Sequence, residues 1–311
     1  MKPVVLADPL PPLFFEIAGD QFEIRALEAD GAVDSGLVSA IVTYGHPLID
    51  GAVMDRFPSL RVISNHGVGV DHIHLPAAAE RNIPVGNTPG CLDASTADMT
   101  MALLLAVARN VVVGDHFARG PQFTHYDPSV LIGQEVTGST LGIIGLGRIG
   151  AQVAKRAAAF DMKVVYHNRS RRTDLEQSMG VEYRSMPELL AVSDFVSLNC
   201  PLTADTRGLI GSKELSMMKR TAILINMARG PVVQTDALLE ALKRRTIAAA
   251  GLDVTDPEPL PRNHELLTLD NVVIAPHLGS ASNGTRRRMM EITVQNLIAG
   301  LNGQPLPFRV G

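Results

Sequence analysis

Short apolar runs alternate with amphipathic stretches along almost the whole chain. In the first part, Glu23–Ala26, Ala40–Thr43, Arg61–Ser64 and Pro84–Gly86 read as short strands, with helical patches at Leu48–Met54 and Pro76–Arg81 between them. Strands alternating with helices predict βαβ units and a mostly parallel sheet. A longer helix follows, which Asp93 or Ser95 can cap. Its apolar positions Met101, Leu104, Leu105, Ala108, Val111 and Val112 recur at helical spacing. The middle of this helix is apolar on every side, so it is expected to be buried between layers. Residues Gly114–Gly138 show no period and are rich in Gly, Pro, His and aromatics. They predict a surface excursion suited to subunit contact.

The second part is more regular. Strands are predicted at Thr140–Ile144, Lys163–His167, Phe195–Asn199, Ala222–Asn226, Ala248–Leu252 and Val272–Ala275. Helices are predicted at Ile149–Phe160, Pro187–Val192, Lys213–Met217 and Ala237–Arg244. Six strands with intervening helices fit a doubly wound nucleotide fold. A last helix, about Gly284–Ala299, would return the chain to the first domain. The expected fold class is α/β, with two doubly wound parallel-sheet domains. A Rossmann nucleotide domain, residues 93–284, is inserted in a discontinuous flavodoxin-like substrate domain of residues 1–92 and 285–311.

Composition narrows the classes. A length of 311 residues accommodates two domains, and 46% hydrophobic against 19% charged residues excludes disorder for the bulk of the chain. A net charge of −4 argues against a nucleic-acid or membrane-surface binder. The most apolar run, Met101–Val107, falls far short of the roughly 20 residues a membrane span needs. Asp8, Pro9, Pro11 and Pro12 break the apolar N-terminus, so no secretory leader is expected. Cys91 and Cys200 form neither a disulfide framework nor a CxxC pair, which predicts no metal site and a reducing, cytoplasmic setting.

The strongest chemical signal is Gly145-Leu146-Gly147-Arg148-Ile149-Gly150, a GxGxxG run between a strand and a helix. The first glycine makes the turn, the second admits a pyrophosphate, and the third lets helix pack on strand. Backbone N–H groups at the helix start meet the negative charge. About 20 residues later an NAD-selective site carries an acid for the ribose 2′-hydroxyl. Here the next strand ends in His167-Asn168-Arg169-Ser170-Arg171-Arg172, without a carboxylate before Asp174. Guanidinium and hydroxyl groups bind a 2′-phosphate that a carboxylate would repel. The expected cofactor is therefore NADP(H), with Asn168, Arg169, Ser170 and secondarily Arg171 as ligands and NAD(H) as the alternative. An ordinary solvated arginine cluster fits the same residues.

Three more residues follow late strands, where ligands bind in such folds. Arg229, after Asn226-Met227-Ala228, offers a planar fork for a carboxylate. His277 follows Val272-Val273-Ile274-Ala275-Pro276, and Glu258 lies in the loop Asp256-Pro257-Glu258-Pro259. A carboxylate beside an imidazole fixes its tautomer and favours its protonated form, ready to donate to a developing alkoxide. Taken singly, each also fits a structural role. A second glycine loop, Asn65-His66-Gly67-Val68-Gly69-Val70-Asp71, lacks a following GxxG helix. Its N–H groups are expected to form an anion nest for a carboxylate, although a structural turn fits the pattern equally.

Taken in order, these landmarks resemble the D-isomer-specific 2-hydroxyacid dehydrogenase family over about Arg61–Ser282. They include Gly67-Val68-Gly69-Val70-Asp71, Asn87-Thr88-Pro89-Gly90, Leu141–Gly150 and Cys200-Pro201-Leu202-Thr203. Ala228-Arg229-Gly230, Leu252-Asp253-Val254, Glu258-Pro259 and Pro276-His277-Leu278-Gly279-Ser280 complete the set. The resemblance implies a homodimer whose substrate domain is split between the chain ends. It implies Arg229 as substrate-carboxylate binder, Glu258 as orienting carboxylate and His277 as acid/base. Val68, Gly69 and Ser280 are implied to meet the substrate, and Cys200, Pro201, Thr206, Asp253 and Gly279 to line the nucleotide. Ser280 together with Asn168-Arg169-Ser170 is similar to the NADPH-using glyoxylate/hydroxypyruvate reductase branch. The implied reaction reduces a small 2-oxo acid to a 2-hydroxy acid.

One departure concerns the arm. Many relatives carry Arg-x-Gly-x-Trp there, whereas this chain reads Arg119-Gly120-Pro121-Gln122-Phe123 and contains no Trp. That keeps open a bulkier 2-oxo acid, with an NAD(H)-linked dehydrogenase as the alternative reading. Glu258 argues against formate dehydrogenases, whose histidine partner is typically glutamine. A nucleotide-sensing corepressor is the non-enzyme alternative.

Overall fold

In a computed structural model, residues 2–27 and 34–310 are described. The first compact unit comprises Met1–Leu92 and Ser282–Gly311, the second Asp93–Ala281. The return crossing thus falls between Ala281 and Ser282 rather than after residue 284, because Ser282 is already the N-cap of the last helix.

The first unit contains β1 (Val4–Ala7), α1 (Pro12–Ala18), β2 (Glu23–Ala26), β3 (Val38–Thr43), α2 (Gly51–Asp55), β4 (Val62–Asn65), α3 (Leu75–Glu80) and β5 (Val85–Gly86). Its sheet order is β2-β1-β3-β4-β5, all parallel, the flavodoxin-like arrangement. Successive residues of β1 enter opposite cores. Val4 and Leu6 pack with Ile41, Ile63 and Ile49, whereas Val5 and Ala7 pack with Val42, Val62 and Phe14. An inner strand of a parallel sheet covered on both faces, such as β1, is therefore apolar at successive positions. That continuous run, followed closely by prolines, hid β1 from a period-two reading. Pro12 begins α1, where its missing N–H costs nothing.

The second unit contains α4 (Asp93–Ala108), α5 (Val111–Arg119), β6 (Thr140–Ile144), α6 (Arg148–Ala158), β7 (Lys163–His167), α7 (Thr173–Met179), β8 (Glu182–Tyr183), α8 (Met186–Val192), β9 (Phe195–Leu198), α9 (Ser212–Met217), β10 (Ile223–Asn226), α10 (Thr235–Lys243), β11 (Ala249–Leu252) and β12 (Val272–Ile274). Helix α11 (Asn283–Leu301) then completes the first unit. There Met290, Val294 and Leu297 cover one face of its sheet.

The second sheet has seven parallel strands, β12-β11-β10-β9-β6-β7-β8, one more than the sequence pattern predicted. The addition, β8, is a two-residue edge strand too short to show a period. The predicted long helix is two. Asn110 adopts a left-handed φ of 52° and ends the continuity between α4 and α5, a conformation that Asn tolerates well. Helix α5 also runs into the stretch expected to be irregular. The stretch then returns so close to the end of α4 that a Cβ on Gly133 would lie 2.4 Å from the Ala108 carbonyl oxygen. No single helix among the described residues is long and apolar enough to cross a membrane.

Candidate active site

Each glycine of the phosphate loop has a separate steric reason. Gly145 has φ 99°, and a Cβ there would lie 2.6 Å from the Cys200 amide nitrogen. A Cβ on Gly150 would lie 2.3 Å from the Gly145 carbonyl oxygen, so only glycine lets α6 approach β6 this closely. At Gly147 a Cβ would meet nothing within 4 Å. The open space there, at the start of α6, is where a bound pyrophosphate would need close backbone approach. Among the described residues, no hydrogen bond engages the N–H groups of Arg148 or Ile149. The loop therefore fits a dinucleotide.

At the end of β7 the predicted phosphate ligands divide. Asn168 turns its side chain toward the loop, where Oδ1 accepts the Leu146 N–H at 2.7 Å. Arg171 is paired with Glu176 at 2.5 Å, and its guanidinium lies over the Tyr183 ring. Arg172 pairs with Asp174 and donates to the Leu146 carbonyl. Arg169 is 89% exposed, with a long ion pair of 3.9 Å to Asp205, and Ser170 is exposed beside it. Arg169 and Ser170 therefore present their side chains to solvent at the end of β7.

Cys200 packs against Gly145, and burial pushes its thiol up to about 11, so it is a neutral packing group at physiological pH. Pro201 is joined to Thr206, whose hydroxyl donates to the Pro201 carbonyl at 2.6 Å and accepts the Thr203 N–H at 2.8 Å.

The predicted acid and its partner do meet. His277 Nδ1 lies 2.7 Å from Glu258 Oε1, and both side chains are about one-third exposed. His277 has φ 56°, an uncommon conformation for a residue with a Cβ. Asp253 holds it there. The His277 N–H donates to the Asp253 carbonyl at 2.9 Å. The Asp253 carboxylate accepts the Leu278 and Gly279 N–H groups at 2.7 and 2.8 Å. Both oxygens of Asp253, a predicted nucleotide ligand, are thus engaged in shaping the histidine loop. Burial raises its pKa, and these two backbone donors oppose the shift. Ser280 follows half-buried, and Ser95 donates to the Gly279 carbonyl at 3.1 Å.

Arg229 is half-buried immediately after β10. Its turn is built by buried Asn226, which accepts the Ala228 N–H at 3.1 Å and donates to the Arg229 carbonyl at 3.0 Å. A Cβ on the following Gly230 would lie 1.9 Å from the Thr255 carbonyl oxygen, so the arginine turn is packed onto the loop that carries Glu258. Arg229, Glu258 and His277 therefore stand on adjacent strand ends of one sheet. Asn226, and Asp253 in its bracing role, were missed from sequence. The available signal was a polar residue closing or following an apolar strand run.

The other predicted substrate residues, Val68 and Gly69, belong to the first unit and are half-buried in the turn after β4.

The sequence model of the D-isomer specific 2-hydroxyacid dehydrogenase, NAD binding domain, matches residues 101–279. The chain belongs to the D-isomer-specific 2-hydroxyacid dehydrogenase family. It is an oxidoreductase of that family. A glyoxylate reductase of Pyrococcus horikoshii is 43% identical over 322 residues, covering 100% of this chain and 96% of that protein. The crystal structure of an NADPH-dependent glyoxylate/hydroxypyruvate reductase from Sinorhizobium meliloti, in complex with NADP and malonate, is similar with a TM-score of 0.91 and 32% identity. That match covers 100% of this chain and 97% of the other. A D-lactate dehydrogenase from Aquifex aeolicus, complexed with NAD and lactic acid, superposes with a TM-score of 0.85 at 29% identity, covering 96% of each.

Proposed function

We propose that this family member reduces small 2-oxo acids, glyoxylate and hydroxypyruvate, to 2-hydroxy acids with NADPH. The Glu258–His277 pair at the strand ends carries the reading. When bound, the nicotinamide nucleotide supplies the hydride. Glu258 engages Nδ1 of His277, so the proton delivered to the substrate carbonyl oxygen is the one on Nε2. The planar guanidinium of Arg229 binds the substrate carboxylate. Asp253 and Asn226 keep these two groups in position through the backbone of their turns. Ser280 adjoins the histidine loop as a substrate contact.

NADPH preference rests on Arg169 and Ser170 and on the absence of a carboxylate at Asn168. NADH use is a second reading, favoured by the engagement of Asn168, Arg171 and Arg172 within the protein. A homodimer is supported by apolar side chains on the α5 arm, where Tyr126 is 80% and Ile132 is 77% exposed. A reduced thiol at Cys200 supports a cytoplasmic setting.

The test is initial rates on glyoxylate and hydroxypyruvate with NADPH and NADH at equal concentration. NADPH-linked turnover is expected. Equal rates with both nucleotides would reject the preference, and no turnover with either acid would reject the substrate class.

A further inference from the structure

The turn after β4 is held in a way that no motif records. Residues 67–69 present three successive carbonyls inward, and each is tied to a side-chain amide. Asn65 Nδ2 donates to the Gly67 carbonyl at 3.0 Å and to the Gly69 carbonyl at 2.9 Å. Asn87 Nδ2 donates to the Val68 carbonyl at 2.9 Å. The Thr88 N–H adds a second bond to Gly67 at 3.0 Å. The Asn65 amide is itself oriented, because its Oδ1 accepts the Thr43 hydroxyl at 2.7 Å. Thr43 and Asn65 are both buried, so this arrangement is shielded from competing water.

Tying down the carbonyls fixes the other end of each peptide. Among the described residues, no hydrogen bond engages the N–H groups of Val68 or Gly69, and both residues are half-buried rather than sealed. Successive backbone N–H groups that converge without an acceptor form an anion-binding concavity. A side-chain amide that donates twice to the same turn, with its oxygen already occupied, holds that concavity open before a ligand arrives. Preorganised donors bind an anion without first reordering the loop.

We propose that Asn65, through the Gly67 carbonyl, positions the Val68 N–H of a carboxylate-binding nest whose Gly69 N–H is positioned by Asn87 through the Val68 carbonyl, with Thr43 setting the orientation of the Asn65 amide. The inference rests on the 2-oxo acid reading above. It assigns part of the carboxylate affinity to a side chain that never touches the substrate.

Asn65→Ala removes both donors, and Asn65→Asp keeps the shape while turning a carboxylate toward two carbonyls. Each variant is expected to raise KM for glyoxylate by about tenfold, the scale of one charge-assisted hydrogen bond weakened at the substrate. The effect on kcat and on KM for NADPH should stay within about threefold. Thr43→Val, which retains the volume, should raise KM by a few-fold and serves if the Asn65 variants fail to fold. Oxalate binding to the enzyme with NADPH present, followed by calorimetry, should weaken in parallel. Folded Asn65 variants with unchanged KM and unchanged oxalate affinity would overturn the proposal. If the wild type reduces no 2-oxo acid yet binds oxalate through Asn65, the activity reading fails and the nest stands. If the wild type binds no oxalate, the nest falls as well.

Discussion

Glu258 and His277, 19 residues apart in sequence, meet at 2.7 Å through Oε1 and Nδ1. The contact orders the imidazole on the Nδ1 side, and in the proposed reaction it leaves Nε2 to carry the proton. His277→Ala should therefore lose about 10²–10⁴-fold in kcat, the usual range for a positioned general acid. Glu258→Gln keeps an acceptor for Nδ1–H but replaces a charged hydrogen-bond acceptor with a neutral one. Its kcat should fall by roughly tenfold or more, as charged hydrogen bonds exceed neutral ones by about that factor. Steady-state rates on glyoxylate check both, and retained turnover in His277→Ala would remove it from the mechanism.

Arg229 is proposed to act by shape as well as charge. Arg229→Lys keeps the charge and loses the planar fork, so KM for the 2-oxo acid should rise roughly tenfold, the cost of about one charge-assisted hydrogen bond. NADPH binding, measured separately by fluorescence titration, should be unaltered. Unchanged KM and kcat would reject the clamp.

The coenzyme preference can be inverted at the end of β7. Asn168→Asp retains an oxygen for the Leu146 N–H, now bonded at 2.7 Å, but places negative charge where a 2′-phosphate would lie. Combined with Arg169→Ala, it should weaken NADPH by about 10- to 100-fold, the scale of one or two lost charge-assisted bonds. NADH should change much less. Dissociation constants for both nucleotides decide the point, and equal losses would leave the phosphate site without support.

Much of this site was legible because its chemistry sits where strand ends must be. The regular spacing of β6, β7, β9, β10, β11 and β12 puts Gly145, Arg229, Glu258 and His277 at or after strand ends in the sequence alone. What the pattern could not give were partners. Asn168 lies 22 residues from Leu146, and Asp253 lies 25 from Leu278, so neither hydrogen bond follows from local spacing. Asn65, Asn226 and Asp253 read as ordinary polar residues near apolar strands, although they brace the turns that carry Val68 and Gly69, Arg229, and His277. The break at Asn110 was missed for another reason. Hydrophobic period continues from Ala108 to Val112 across a left-handed residue, because both helices present apolar positions at the same spacing.

The arm offers a test of assembly. Phe123, Tyr126, Val130, Leu131 and Ile132 are all exposed within one short segment, a clustering of apolar side chains that marks interaction surfaces. Ile132→Asp with Tyr126→Asp should shift the sedimentation coefficient from dimer toward monomer, since two charges would have to be desolvated on association. A wild-type chain that sediments as a monomer would reject the dimer.

The sharpest pH dependence of stability should come from His66. Its ring is 5% exposed, its Nδ1 lies 3.2 Å from the Thr293 hydroxyl, and its Nε2 is buried without a hydrogen-bond partner. Tyr44 stacks 4.9 Å away, and the positive charges of Arg286 and His46 oppose protonation. Burial, reinforced by those charges, depresses its pKa from 6.5 to about 4. Between these values the unfolded chain binds the proton and the native chain does not, so stability rises with pH through the window. The contribution is complete above pH 6.5 and is lost progressively as pH falls toward 4. It amounts to about 3 kcal/mol at most, from 1.36 kcal/mol per pKa unit. Urea midpoints measured from pH 7 to pH 4 should therefore fall steeply for the wild type. They should fall less steeply for His66→Gln, which has no proton to gain. Parallel slopes for the two proteins would show that acid destabilisation enters elsewhere.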